Sequence, residues 1–124
     1  MYQHYIKAKN LATQVLNDCN ITISPINLVN IANHYNIILI PYSLSEYIKT
    51  YNLDNTEGFS LFRNGQHIIY FNDKRHKEKI RFTVAHEIGH CLLGHLKNSV
   101  QFNYKTKKLT ETQANIFAIN LLRR

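Results

Sequence analysis

The sequence predicts an α+β fold, and three observations carry that prediction. Apolar positions recur twice at helical spacing in the first third of the chain. The middle holds a largely β-branched run, Ile37-Ile38-Leu39-Ile40, and two strand-like segments on either side of Asn64-Gly65. The last third returns to helical periodicity in two segments, the first of which carries His86-Glu87-Ile88-Gly89-His90. At 124 residues and 44% apolar content, the chain suits one domain, 1–124, with one core.

From Tyr5 to Cys19 the apolar positions Tyr5, Ala8, Ala12, Val15, Leu16 and Cys19 share a face, with Lys9, Asn10, Thr13 and Asp18 opposite them, which makes a first amphipathic helix. Ser24-Pro25 supplies an N-cap followed by proline at the first helical position. Leu28, Ile31, Ala32 and Tyr35 then continue a second helix to about Asn36. The run 37–40, closed by Pro41, is short enough for a buried strand. Residues 42–57 are polar and irregular apart from Tyr47, Ile48, Tyr51 and Leu53, and are expected as a loop over the site. Asn64-Gly65 predicts a tight hairpin joining 59–63 to 66–71, because both residues tolerate positive φ. The second of these strands leads into the motif helix. An extended peptide pairing along Ile68 to Asn72 would present its main chain there.

The motif helix is an apolar segment from Ile80 to Leu96, striped by Ile80, Val84, Ile88 and Cys91. His86 and His90 stand at i and i+4, so both imidazoles can reach one metal. Glu87 lies beside that site and can take a proton from water there. The bland alternative is a surface helix with two exposed histidines, in a chain that holds 7 histidines. Gly89, between them, costs about 1 kcal/mol relative to alanine, which points to close approach by a substrate or another backbone.

Catalytic zinc takes three protein ligands and keeps a fourth position open. In the spacing HExxHxxGxxH the third histidine would fall at Leu96 and the glycine at Leu93, so that class is excluded. His95 comes one residue early and would point about 100° away, as a surface residue at the helix end. Glu111 is the better candidate. Thr110 and Gln113 fit a capping box that would place Glu111 in the first turn of a last helix, and Ala114 and Ala118 keep its face small enough to press on the motif helix. An acidic residue favoured by the helix dipole is the competing account of Glu111.

Arg81-Phe82-Thr83-Val84-Ala85-His86-Glu87-Ile88-Gly89-His90, followed by Glu111-Thr112-Gln113-Ala114-Asn115-Ile116-Phe117-Ala118, resembles the ImmA/IrrE family of metallopeptidases. The likeness is specific over 81–122 and looser upstream. It implies a zincin-like site with one zinc per chain, His86, His90 and Glu111 as ligands and Glu87 as general base. Family members usually continue beyond the Leu121-Leu122 pair, and many carry a helix-turn-helix domain that nothing here resembles, so either a minimal form or a piece of a longer chain is expected. The resemblance also implies a regulatory endopeptidase acting on one protein partner, such as a helix-turn-helix repressor, in a phage, mobile-element or stress setting. The alternative is a zinc-containing, non-catalytic binding module, toxin-like or repressor-sequestering.

Composition narrows the partners. No apolar run approaches the roughly 18 residues that span a bilayer, and Met1-Tyr2-Gln3-His4-Tyr5 lacks a signal peptide's order, so no membrane role and a cytoplasmic location are expected. Cys19 and Cys91 are read as core thiols. The net charge of +7 gathers at Lys74, Arg75, Lys77, Lys79 and Arg81, and again at Lys105, Lys107 and Lys108. No aromatic residue interleaves with either cluster, which argues against direct nucleic-acid binding. His67, Tyr70, His95 and Tyr104 are the open candidates for stabilising an oxyanion.

Overall fold

Asparagine and glycine punctuate this chain. The computed structural model describes residues 2–96 and 104–123, with side chains for 2–96 and 107–123. Helix α1, Tyr2–Asp18, buries Ala8, Ala12, Val15 and Leu16 and packs against the last helix. It stops where Asn20 takes φ 55°, letting the Ile21 amide donate to the Leu16 carbonyl at 2.9 Å. Asn36 and Asn52 take the same left-handed conformation after the second and third helices.

Helix α2 is Leu28–His34, and its cap is Asn27, not Ser24: the Asn27 Oδ1 accepts from the Asn30 amide at 3.1 Å. The Ser24-Pro25 peptide is cis. The start moves because the preceding segment is committed to the core: Ile26 is buried and its carbonyl accepts from Arg81 Nη1 at 2.9 Å.

Strands β1 (Ile37–Pro41), β2 (Gly58–Arg63) and β3 (Gln66–Phe71) form one sheet in the order β1-β3-β2. The hairpin reading holds: Asn64 and Gly65 turn at φ 52° and 75°, and β2 runs antiparallel to β3 with Phe62 opposite His67 and Ser60 opposite Ile69. β1 pairs parallel to β3, so it is an edge strand with Ile37 buried and Ile38 exposed, not a strand buried throughout. β3 is central. Both of its edges are hydrogen-bonded, so the peptide pairing expected along Ile68 to Asn72 has no free backbone to use. Among the described residues, the strand that borders the motif helix and has an unpaired edge is β2.

Alternation sends Ser60, Ile69 and Ile37 toward the helices and Phe59, Tyr70 and Ile38 to the other face. The segment expected as a loop over the site covers that other face instead. It forms a 3-10 turn, Tyr42–Leu44, and helix α3, Glu46–Thr50, whose Tyr47 ring stacks 5.8 Å from Tyr70, itself 4.9 Å from Phe59. Asn72 fastens the segment: its side-chain amide donates to the carbonyls of Asp54 and Thr56 at 3.0 and 2.9 Å.

Helices α4, Lys77–Leu92, and α5, Tyr104–Leu122, complete the α+β architecture, and the core lies among α1, α2, α4, α5 and the helix side of the sheet. No helix among the described residues is long and apolar enough to cross a membrane. Gly89 is explained by α5. A Cβ there would stand 2.9 Å from Phe117 Cδ2 and 3.3 Å from Phe117 Cβ, and Phe117 is fully buried. The close neighbour is thus a side chain of the next helix, not a substrate.

Gly89→Ala sets a helix-propensity gain of about 1 kcal/mol against overpacking of about 1–3 kcal/mol. We expect a net loss of up to about 2 kcal/mol, read as a lower urea midpoint; a raised midpoint would contradict the close contact.

Candidate metal centre

The two helices bring the three expected side chains to one point. His86 Nε2 lies 3.1 Å from His90 Nε2 and 3.4 Å from Glu111 Oε1, and His90 Nε2 lies 2.6 Å from Glu111 Oε2. Zinc bound tetrahedrally at about 2.0–2.1 Å separates its ligand atoms by about 3.3 Å, close to two of these three distances. Two imidazole nitrogens and a carboxylate are also the donor types that zinc takes. Among the described residues, His86, His90 and Glu111 form a cluster that can hold an ion.

Protonation agrees with that use. Burial, with the neighbouring His86 charge adding to it, pushes the His90 imidazole down to about 4, outweighing the Glu111 carboxylate. The 2.6 Å approach of that carboxylate would suit an imidazolium. At 10% side-chain exposure burial decides, and a neutral imidazole is the form that binds metal.

Glu87 sits next to the cluster, 8% exposed, and its Oε1 accepts from Ser60 Oγ of β2 at 2.6 Å. Burial raises its carboxyl above the ordinary carboxylate range, with the Ser60 hydrogen bond and the His86 charge acting the other way. Glu87, His90, Glu111 and Ser60 line one cleft, joined by His95 and Lys107. Cys91 faces the core, where burial pushes its thiol up to about 12.

Three readings from sequence are corrected. His95 is not a surface residue pointing away. Helix α4 ends at Leu92, Gly94 turns at φ 77°, and the His95 amide donates to the His90 carbonyl at 3.1 Å. That reversal carries the His95 ring back, with its Nδ1 2.9 Å from His90 Nδ1. Gly94 was the available signal, as a left-handed residue just past a helix end. Second, Thr110 and Gln113 form no capping box and Glu111 is not in a first turn, because α5 already runs from Tyr104. The Thr110 hydroxyl donates back to the Lys107 carbonyl at 2.9 Å, and Gln113 is buried with its Oε1 2.9 Å from His95 Nε2. Third, Tyr70 lies on the sheet face away from Ser60, stacked on Phe59, so it is not placed to reach the cleft. His67 keeps its ring 4.6 Å from that of Phe62 on the sheet, and the Tyr104 side chain lies outside the described residues, as does that of Lys105.

Sequence reasoning also passed over Ser60, and over Asn115, whose Oδ1 lies 2.8 Å from His86 Nδ1. Spacing could have found the latter, since Asn115 follows Glu111 by four residues and shares its helix face. Much of the basic character near α4 is engaged locally: Arg75 Nε pairs with Glu57 at 2.7 Å, and Arg81 holds the Ile26 carbonyl.

The chain matches the family Peptidase_M78, described as the IrrE N-terminal-like domain, over residues 18–122. No curated protein matches it.

Removing Glu111 tests the cluster directly. Wild type is expected to carry one zinc per chain, and Glu111→Ala to bind at least about a hundredfold more weakly, beyond the 10–100-fold typical of an outer partner. Metal content and chelator competition measure both, and equal affinities would remove Glu111 from the ligand set.

Proposed function

Because the chain belongs to the Peptidase_M78 family, with its IrrE N-terminal-like domain over residues 18–122, we propose that it is a zinc metallopeptidase. In this reading His86, His90 and Glu111 hold the ion and Glu87 is the general base. The observation that carries it is the placement of Glu87, a buried carboxylate held by Ser60 in the same cleft as His90 and Glu111.

When bound, zinc supplies Lewis acidity toward a peptide carbonyl and lowers the pKa of neighbouring water. The protein's own groups do the rest. Glu87 accepts the proton of the attacking water and hands it to the leaving amine. Its raised pKa serves both halves, since a carboxylate closer to neutrality gives a proton back more readily. Ser60 fixes the carboxylate's direction. The edge of β2 that no described residue pairs with borders the cleft at Gly58, Phe59 and Ser60 and would offer main-chain groups to an extended substrate.

We extend the proposal to a regulatory protease with one protein substrate, such as a helix-turn-helix repressor; the family resemblance of the 81–122 segment supports it. The competing non-catalytic module is disfavoured by the ligand count. A structural zinc site closes its fourth position with a protein group, whereas three residues make up the cluster among those described.

Glu87→Gln separates the two. It should keep its zinc and lose at least about a hundredfold in cleavage, read by mass spectrometry on the repressor or on a peptide mixture; undiminished cleavage would end the base assignment. Ser60→Ala has a signed consequence. Losing a hydrogen bond to the charged form raises the Glu87 pKa further, so the acid limb of the pH profile moves upward. A bond to a charged group is worth about 1.5–3 kcal/mol, giving a shift of about one to two pH units. An unmoved limb would show that Ser60 does not act on the base.

A further inference from the structure

His90 binds an ion through Nε2 only if its proton sits on Nδ1, and the structure holds a chain of side chains that decides this. For His86 the decision is simple: Asn115 Oδ1 stands 2.8 Å from His86 Nδ1. With that oxygen accepting, the proton is on Nδ1 and the Nε2 lone pair is free. His90 has no such oxygen at its Nδ1. Its neighbour there is another imidazole nitrogen, His95 Nδ1, at 2.9 Å, and either ring can be the donor.

The far side of His95 breaks the tie. His95 Nε2 lies 2.9 Å from Gln113 Oε1, while Gln113 Nε2 lies 3.3 Å from His4 Nδ1 on α1. An amide turned this way accepts from His95, which places the His95 proton on Nε2 and leaves its Nδ1 as an acceptor. His90 must then donate from Nδ1, against the pull of Glu111 Oε2, which at 2.6 Å from His90 Nε2 is the competing acceptor for the same proton. The Nε2 lone pair so left faces that oxygen and His86 Nε2, a meeting of acceptors that a cation relieves. With the amide reversed, every proton shifts along the line. His95 would donate to His90 Nδ1, and the His90 proton would sit on Nε2, where it excludes an ion.

We propose that Gln113, held by His4, fixes the proton positions of His95 and His90 in turn, so that Gln113 and His95 are positioning residues for the metal. The proposal rests on reading His90 as a ligand. It gives a task to three groups outside the ligand set: the buried Gln113, the half-buried His95 that Gly94 turns back over α4, and a histidine of α1, most of which precedes the matched segment 18–122. Outer groups of this type commonly change metal affinity by about 10–100-fold.

The test has two readouts, taken at about pH 8, above the ordinary histidine pKa of about 6.5. Long-range proton–nitrogen correlation spectra of the metal-free wild-type protein report which nitrogen of each imidazole carries its proton. We expect Nδ1 for His86 and His90 and Nε2 for His95; a His90 proton on Nε2 overturns the proposal. Zinc affinity by chelator competition is then compared for two near-isosteric variants. Gln113→Met removes the acceptor and should weaken binding by about 10–100-fold. Gln113→Glu can only accept, so it should stay within about threefold of wild type while losing its tie to His4. Equal losses in both variants, or none in either, overturn the proposal in favour of simple packing. If neither variant folds, the wild-type spectrum decides alone. If wild type has the expected proton positions but takes up no zinc, the relay stands and the peptidase reading fails.

Discussion

The close packing of α4 on α5 is the constraint on which the rest depends. Two of the clustered side chains come from one helix by local spacing, but Glu111 comes from another, and an ion held there would need all three donor atoms within a few tenths of an ångström of their places. Gly89 and Phe117 set the approach: the glycine gives up side-chain volume at the point where the buried ring needs it. Ala114 and Ala118, both fully buried on α5, add small surface to the same helix. Helix propensity favours alanine at 89 and packing favours glycine. Here packing prevails, because the ring is too enclosed to move aside.

The sheet contributes less to the His86, His90 and Glu111 cluster than to Glu87. β3, paired on both sides, is the rigid member, and β2 hangs from it with Ser60 directed at Glu87. The side chain that would move protons is therefore fixed from a strand, while the ion would be fixed from two helices. These supports are independent in sequence and meet only in the fold. A slip of one residue in the β2 register would turn Ser60 to the far face, with Tyr70 and Phe59, and leave Glu87 buried without that hydroxyl.

Signals with a local physical cause were legible in the sequence. The i, i+4 histidines and the Asn64-Gly65 turn follow from a period and a φ preference and are found as read, and the face of α1 is found at Ala8, Ala12, Val15 and Leu16, with Tyr5 exposed and Cys19 just past the helix end. Glu111 was singled out through a wrong local argument, a capping box: the helix does not start there, yet the carboxylate stands beside His86 and His90. Errors arose where tertiary contact overrides local preference. Ser24-Pro25 looks like a helix start until Ile26 is seen to be drawn into the core, and β3 looks like a strand available for pairing until β1 arrives on its other side. His95 is the most instructive case. A helix continued to Leu96 sends its ring away from the site, whereas one left-handed glycine sends it back.

That reversal puts a side chain from the turn after α4 behind the two histidines that α4 itself presents. Buried donors and acceptors must be matched, and a line of imidazole and amide groups can be matched in only two ways, because moving one proton moves them all. One arrangement leaves a lone pair on His90 Nε2 and the other does not, so proton order becomes part of building the site. The end of the line at His4 on α1 ties that order to the packing of α1 against α5. Metal affinity in such a centre is then a property of how four separate parts of the chain are assembled: α1, α4, the turn that follows α4, and α5. On the proposed order, an ion would meet rings and protons arranged beforehand, and its binding energy would not be spent on arranging them.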